Sequence, residues 1–95
     1  MPTSRVEVAA TATEIVDYNA RRIFLVIENV GDQTIYLGDD NAVATTTGVR
    51  LEAGDFWVQK MEGGDSKYYY RGAFYGICAA TTANVQVLEL EDSNQ

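Results

Sequence analysis

Five consecutive apolar side chains, Ile23, Phe24, Leu25, Val26 and Ile27, stand between Arg22 and Glu28. All but Leu25 are β-branched or aromatic, and such side chains fit a pleated surface better than a helix. The run is a strand. Because side chains alternate along a strand, Phe24 and Val26 face one layer while Ile23, Leu25 and Ile27 face another, and the pattern asks for burial on both. One layer is the core. The other is either a second part of the fold or a partner subunit. Asn29, Gly31 and Asp32 supply turn residues ahead of a second short run at 34–37, so the two runs read as a β-hairpin.

The remainder of the chain repeats this grammar. Val6 and Val8 alternate with Arg5 and Glu7, which predicts a short edge strand or an extended arm over residues 1–13. Ile15 and Val16 make another brief strand. After Gly38, Asp39-Asp40-Asn41 and the Ala/Thr-rich residues to Gly48 read as a long loop. Val49 and Leu51, a tight turn at Ala53-Gly54-Asp55, and the run 56–61 are expected to form a second hairpin. A glycine-rich loop, Tyr68-Tyr69-Tyr70, the run 74–79 and the partly alternating run 85–90 follow, and 92–95 is a polar tail. In the last run Val85, Val87 and Glu89 point one way, and Gln86, Leu88 and Leu90 the other. No long window keeps helical spacing. The expected fold is all-β: an antiparallel β-sandwich or jelly-roll-like barrel of seven to nine short strands, its domain spanning 14–91.

A chain of 95 residues makes one small core, and such cores lean on staples or partners. One cysteine, Cys78, forms no intrachain disulfide and reads as a small buried hydrophobe. Oligomerisation is the remaining device, so a homo-oligomer is expected. With 14 acidic and 7 basic residues the net charge is −7, which repels a phosphate backbone and argues against nucleic acid. No apolar stretch nears the roughly 20 residues of a membrane span, and no leader pattern opens the chain, so synthesis in the cytoplasm is expected.

Chemistry is poorly provided for. Serine or cysteine nucleophiles need a base, most often histidine, and the chain has no histidine. Glu28 and Glu89 are the acids set within apolar runs, but both suit surface or interface pairing as well as a carboxylate dyad. Asp39-Asp40-Asn41 offers clustered oxygens without the spacing of a calcium hand, and reads as a solvated turn. No cofactor or metal is expected. The aromatic set Tyr68, Tyr69, Tyr70, Phe74 and Tyr75 cannot form one platform if successive residues alternate faces, so core and interface packing is the expected role, with sugar stacking as the alternative. Val6, Val8, Tyr68, Tyr69, Tyr70 and Tyr75 are therefore the candidate interface residues.

The order of short patterns carries one more reading. Arg-Arg-x-x-Leu-x-Ile-x-Asn-x-Gly at 21–31, Ile-Tyr-Leu-Gly-Asp at 35–39, Gly-x-x-Leu-x-x-Gly at 48–54, Tyr-Gly-Ile-x-Ala at 75–79 and Val-x-Val-x-Glu at 85–89 resemble small structural proteins of tailed bacteriophages, over about residues 20–90. The resemblance implies a β-sandwich that decorates or cements a capsid, present on the virion surface as a trimer or similar symmetric oligomer with the major capsid protein as partner. It also admits a tail or head-fibre module that recognises a host-surface glycan.

Overall fold

The computed structural model describes residues 3–60 and 70–91, and all regular structure among them is β. Eight strands follow in order: β1 (Thr3–Val8), β2 (Thr13–Val16), β3 (Arg22–Asn29), β4 (Ile35–Gly38), β5 (Val49–Leu51), β6 (Phe56–Lys60), β7 (Phe74–Cys78) and β8 (Ala83–Glu91). They form two four-stranded antiparallel sheets, ordered β1-β8-β3-β6 and β2-β7-β4-β5. The pairings β1/β8, β2/β7, β3/β6 and β4/β5 nest inside one another. The chain is thus one long hairpin, turned at residues 39–48, whose paired arms roll up into two packed sheets. This is the winding of a jelly roll.

That winding corrects both expected hairpins. β3 and β4 lie in different sheets, as do β5 and β6, and β4/β5 is the one sequence-adjacent pair among the described residues. The reason lies at Asn29. Its carboxamide is fully buried, its Nδ2 donates to Gln33 O at 2.7 Å and Leu51 O at 2.9 Å, and its Oδ1 accepts the Gly31 N–H at 3.0 Å. A buried amide must be satisfied, and these three bonds turn the chain out of the first sheet and into the second. Gly31 sits where a Cβ would stand 2.8 Å from that of Ala83, so a side chain there would push the crossing off β8. The β5–β6 turn docks on the same corner: Gly54 N–H donates to Asn29 O, and Asn29 N–H to Asp55 O, both at 2.9 Å. Gly54 holds φ +89°, in the region that favours glycine.

The core lies between the sheets. Val8, Leu25, Ile27, Val85 and Val87 from the first sheet meet Ile15, Ile35, Leu37, Leu51, Phe74 and Cys78 from the second. Burying a large aliphatic side chain contributes about 1.5–3 kcal/mol, so this set is the main source of stability. β8 alternates as its sequence predicts, with Val85 and Val87 inward and Gln86, Leu88 and Leu90 outward. In β3 the two-layer reading is only half met. Leu25 and Ile27 are fully buried, whereas Phe24 and Val26 are half-buried on the outer face. Ile23 sits where the β3–β8 register slips between Arg22 and Phe24, and the slip lets Arg22 join the inner face with Leu25 and Ile27.

Candidate interaction surfaces

The two ends of the sandwich differ. Connections 9–12, 30–34, 52–55 and 79–82 gather at one end and are short; 17–21, the long 39–48 and the described residues 70–73 gather at the other. The long-loop end is organised by Arg22, which has no exposed surface. Its Nε donates to Glu89 Oε2 at 2.8 Å, its Nη1 to Gly72 O at 3.0 Å and its Nη2 to Asp17 O at 2.8 Å, while its guanidinium lies 5.9 Å from the centroid of Phe74. A guanidinium is a planar fork of donors, so one side chain can tie β8, the β2–β3 connection and the β6–β7 connection together. Arg71 Nε donates to Arg22 O at 3.1 Å and closes the cluster.

Tyr70 caps this end. Its ring stands edge-on to Phe74 at 5.1 Å and 82°, and its hydroxyl donates to Ala73 O at 2.6 Å. Burial pushes the phenol above its ordinary pKa, with the negative charge of Asp39 adding to the shift and Arg22 opposing it. Beside it a cleft of about 160 Å³ opens between Leu37, Gly38, Asp39, Val49, Trp57 and Phe74. Its walls are almost wholly apolar. Trp57 Nε1 is buried and has no hydrogen-bond partner among the described residues. Among the described residues lining the cleft Asp39 is the one carboxylate.

Asp39, Asp40 and Asn41 are exposed. Asp40 Oδ1 accepts the Ala42 N–H at 2.9 Å, and Val43 N–H donates to Asp40 O, so this segment is a turn closed on itself. Among the described residues no three metal-ligating acids or cysteines gather. Glu28 is exposed on the outer face of β3, and Glu89 serves Arg22.

The candidate interface residues scatter. β1 is a strand paired to β8 along its whole length, from Thr3 opposite Leu88 to Val8 opposite Ala83. Val8 is fully buried and Val6 packs against the core, so neither side chain is offered to a partner; what β1 presents outward is its free backbone edge and Arg5 and Glu7. Tyr70 belongs to the cap just described. Tyr75 lies on the outer face of the second sheet, beside Gly38 on β4 and Glu14 on β2, with Tyr36 and Ile77 on the same face. Tyr68 and Tyr69 lie outside the described residues.

One apolar surface among the described residues was half visible in the sequence. On the outer face of the first sheet, Val26 stands between Leu88 and Val58, Phe24 is opposite Leu90, and Glu28 stands between Gln86 and Phe56. Phe56 is 62% exposed and Val58 45%; the other four apolar side chains are half-buried by one another. Polar groups border the patch, where Arg5 Nε donates to Gln86 Oε1 at 3.1 Å and Glu7 and Glu28 face solvent. An apolar centre with a polar rim is the anatomy of a protein contact surface. Phe24 and Val26 signalled it through the two-sided run, whereas Phe56 and Val58 fell in a strand whose neighbours in space the sequence does not reveal. Comparison with protein-family models, curated proteins and solved structures finds no match to this chain.

Proposed function

We propose that this chain is a non-enzymatic structural protein of a tailed bacteriophage, which attaches as a homo-oligomer to the outer surface of the head, contacts the major capsid protein and stabilises the shell. The observation that carries the reading is the outer face of the β1-β8-β3-β6 sheet, where apolar side chains lie together within a polar rim as they do in protein contacts. Three features support it. The order of short patterns resembles phage structural proteins, the winding is one that capsid proteins use among others, and the absence of histidine leaves the chain without the usual base for nucleophilic chemistry. Fold by itself does not assign function, so the contact surface and the pattern order bear the weight.

Stabilisation in this reading needs no chemistry. A protein that binds the assembled shell and not its dissociated subunits stabilises the shell by about 2.7 kcal/mol per site at a hundredfold excess over Kd. An oligomer that engages several capsid subunits adds avidity to weak single contacts. The net charge of −7 suits the outside of a head, away from packaged DNA. The test is co-sedimentation of the purified protein with undecorated, expanded heads, followed by their resistance to heat. Saturable binding that raises the temperature of head rupture is expected. Protein that stays in the supernatant with heads, yet is retained on host cells or their polysaccharide, would replace this reading with glycan recognition.

A further inference from the structure

We propose that the outer face of the β1-β8-β3-β6 sheet seats a second copy of this chain, packed face to face about a two-fold axis. The inference names the surface behind the oligomer in the reading above and rests on that reading only for what the oligomer is for.

The first argument is continuity. Leu88, Val26 and Val58 form an unbroken row across three neighbouring strands, flanked by Leu90 and Phe24 on one side and Phe56 on the other. Directly opposed side chains on adjacent strands lie about 4.5–5.5 Å apart, so these six make one patch rather than scattered exposed residues. β3 therefore carries apolar residues on both faces, the pattern of a strand covered on both sides, yet the chain's own second sheet covers only the inner one.

Charge chooses the occupant. A chain of net charge −7 repels its own copies over most of its surface. On this face the row Leu88, Val26 and Val58 is uncharged, the next row sets Arg5 and Glu28 on either side of Gln86, Glu7 lies beyond it, and Lys60 pairs with Phe24 in the register. Positions of both signs, Arg5 and Lys60 against Glu7 and Glu28, surround the uncharged row, so two copies turned about a two-fold axis can set opposite charges against each other. A strongly basic partner would find little to bind on this face.

Area sets the strength. Strands spaced about 4.8 Å apart and rising about 3.3 Å per residue give a four-stranded face as long as β3 an area of roughly 500 Å². Two such faces bury about 1,000 Å², at the lower limit for a specific interface, so the complex is weak and concentration-dependent. Sheets stack face to face at about 10 Å in the same way inside the sandwich. A single patch that matches itself closes at two copies, because a ring of three needs two different patches.

The experiment is sedimentation equilibrium of the full chain, without heads, from about one to several hundred micromolar, the range in which interfaces of this size dissociate. Wild type is expected to approach twice the 10.4 kDa chain mass. Val58→Glu and Phe56→Glu each place a charge at an exposed position of an edge strand and should weaken association about tenfold or more, with circular dichroism unchanged. Val58→Thr, which keeps a β-branched shape, gives a second reading should the charged variant fail to fold. Tyr36→Glu, on the outer face of the other sheet, should leave association intact. A monomer at every concentration, a mass three times that of the chain, or a dimer indifferent to Val58 and Phe56 substitutions but broken by Tyr36→Glu would overturn the proposal. A dimer that fails to bind heads would keep this inference and remove the proposed function, and a monomer that binds heads would overturn this inference and keep attachment to the head without the oligomer.

Discussion

Replacing Arg22 by methionine should be the most damaging polar-to-apolar change in the described chain. The substitution keeps much of the volume and removes every donor. It leaves Glu89, whose side chain is 15% exposed, facing an apolar group, and it strips donors from the carbonyls of Asp17 and Gly72. Breaking a buried ion pair from one side costs about 3–5 kcal/mol, and an orphaned carbonyl costs about 1–3 kcal/mol when no water replaces the donor. Glu89 keeps some contact with solvent, so the lower part of these ranges applies, and the total comes to about 4 kcal/mol. Against the roughly 5–15 kcal/mol of a typical domain that is a large share. At about 4–8 °C per kcal/mol the melting temperature should fall by roughly 20 °C. Glu89→Gln retains an acceptor for Nε and should cost about half as much, and the double variant should cost at least about 1 kcal/mol less than the two singles together, because the groups share one interaction. The assay is urea unfolding followed by fluorescence of Trp57, which packs 6.4 Å from Phe74 and so reports on this end of the core. Arg50→Met is the control: Arg50 and Glu52 are 65% and 60% exposed and 3.6 Å apart, and their loss should leave the midpoint where it was. A cost for Arg22→Met below about 1.5 kcal/mol, or strict additivity with Glu89→Gln, would refute the view that Arg22 holds three connections together.

Three further outcomes follow from the geometry. Asn29→Ala should lower stability by about 2–3 kcal/mol in the same urea assay, since it leaves Leu51 O, Gln33 O and the Gly31 N–H without partners at the corner between the sheets. Gly54→Ala meets no atom but must hold φ +89°, so it should cost about 1 kcal/mol through backbone strain alone, with no loss of cooperativity. The Tyr70 phenol, raised above its unfolded value near 10 chiefly by burial, contributes stability that is fully present below that value and is lost as pH rises through the folded one. Urea midpoints across the alkaline range should therefore fall less steeply for Tyr70→Phe than for wild type.

Strand positions were legible because short apolar runs separated by turn residues obey local rules, and those at Ile15 and Val16, Phe56 to Lys60, and Val85 to Leu90 fell where their patterns indicated. Pairing was not legible. Asn29, Gly31 and Asp32 look like hairpin chemistry, yet the Asn29 side chain reaches across to Leu51, and that bond depends on a strand 22 residues away. Nested pairing of β1 with β8 and β2 with β7 is the extreme case, since it joins the two ends of the chain and leaves no local trace. Such non-local pairings also predict slow folding, in the millisecond-to-second range typical of β-sandwiches. Arg22 was hidden for a related reason. An arginine ahead of an apolar run reads as a solvated flank, and only the register slip before Phe24 turns it inward onto Glu89.

The outer face was legible in part, and the part that was missed explains its strength. Phe24 and Val26 signalled a second covered layer, but the sequence alone could not say that β6 and β8 would set Val58, Phe56, Leu88 and Leu90 beside them. Conversely, Val6 and Val8 looked available to a partner because an isolated alternating strand at the start of a chain has no visible core. Once β1 pairs with β8, the inward parity that Val8 shares with Ala83 and Val85 takes both valines into the sandwich.

Methyl-resolved nuclear magnetic resonance of the full chain over a dilution series tests the contact surface most directly, because it reads the four aliphatic side chains of the patch one by one in solution. The account predicts that the methyl signals of Val26, Val58, Leu88 and Leu90 move together with concentration, with a midpoint equal to that from sedimentation, while those of Ile77 on the opposite outer face and Val49 at the cleft stay fixed. Movement at Ile77 or Val49 with the four patch residues unchanged, or no movement anywhere up to several hundred micromolar, the range in which a contact of about 1,000 Å² dissociates, would contradict it.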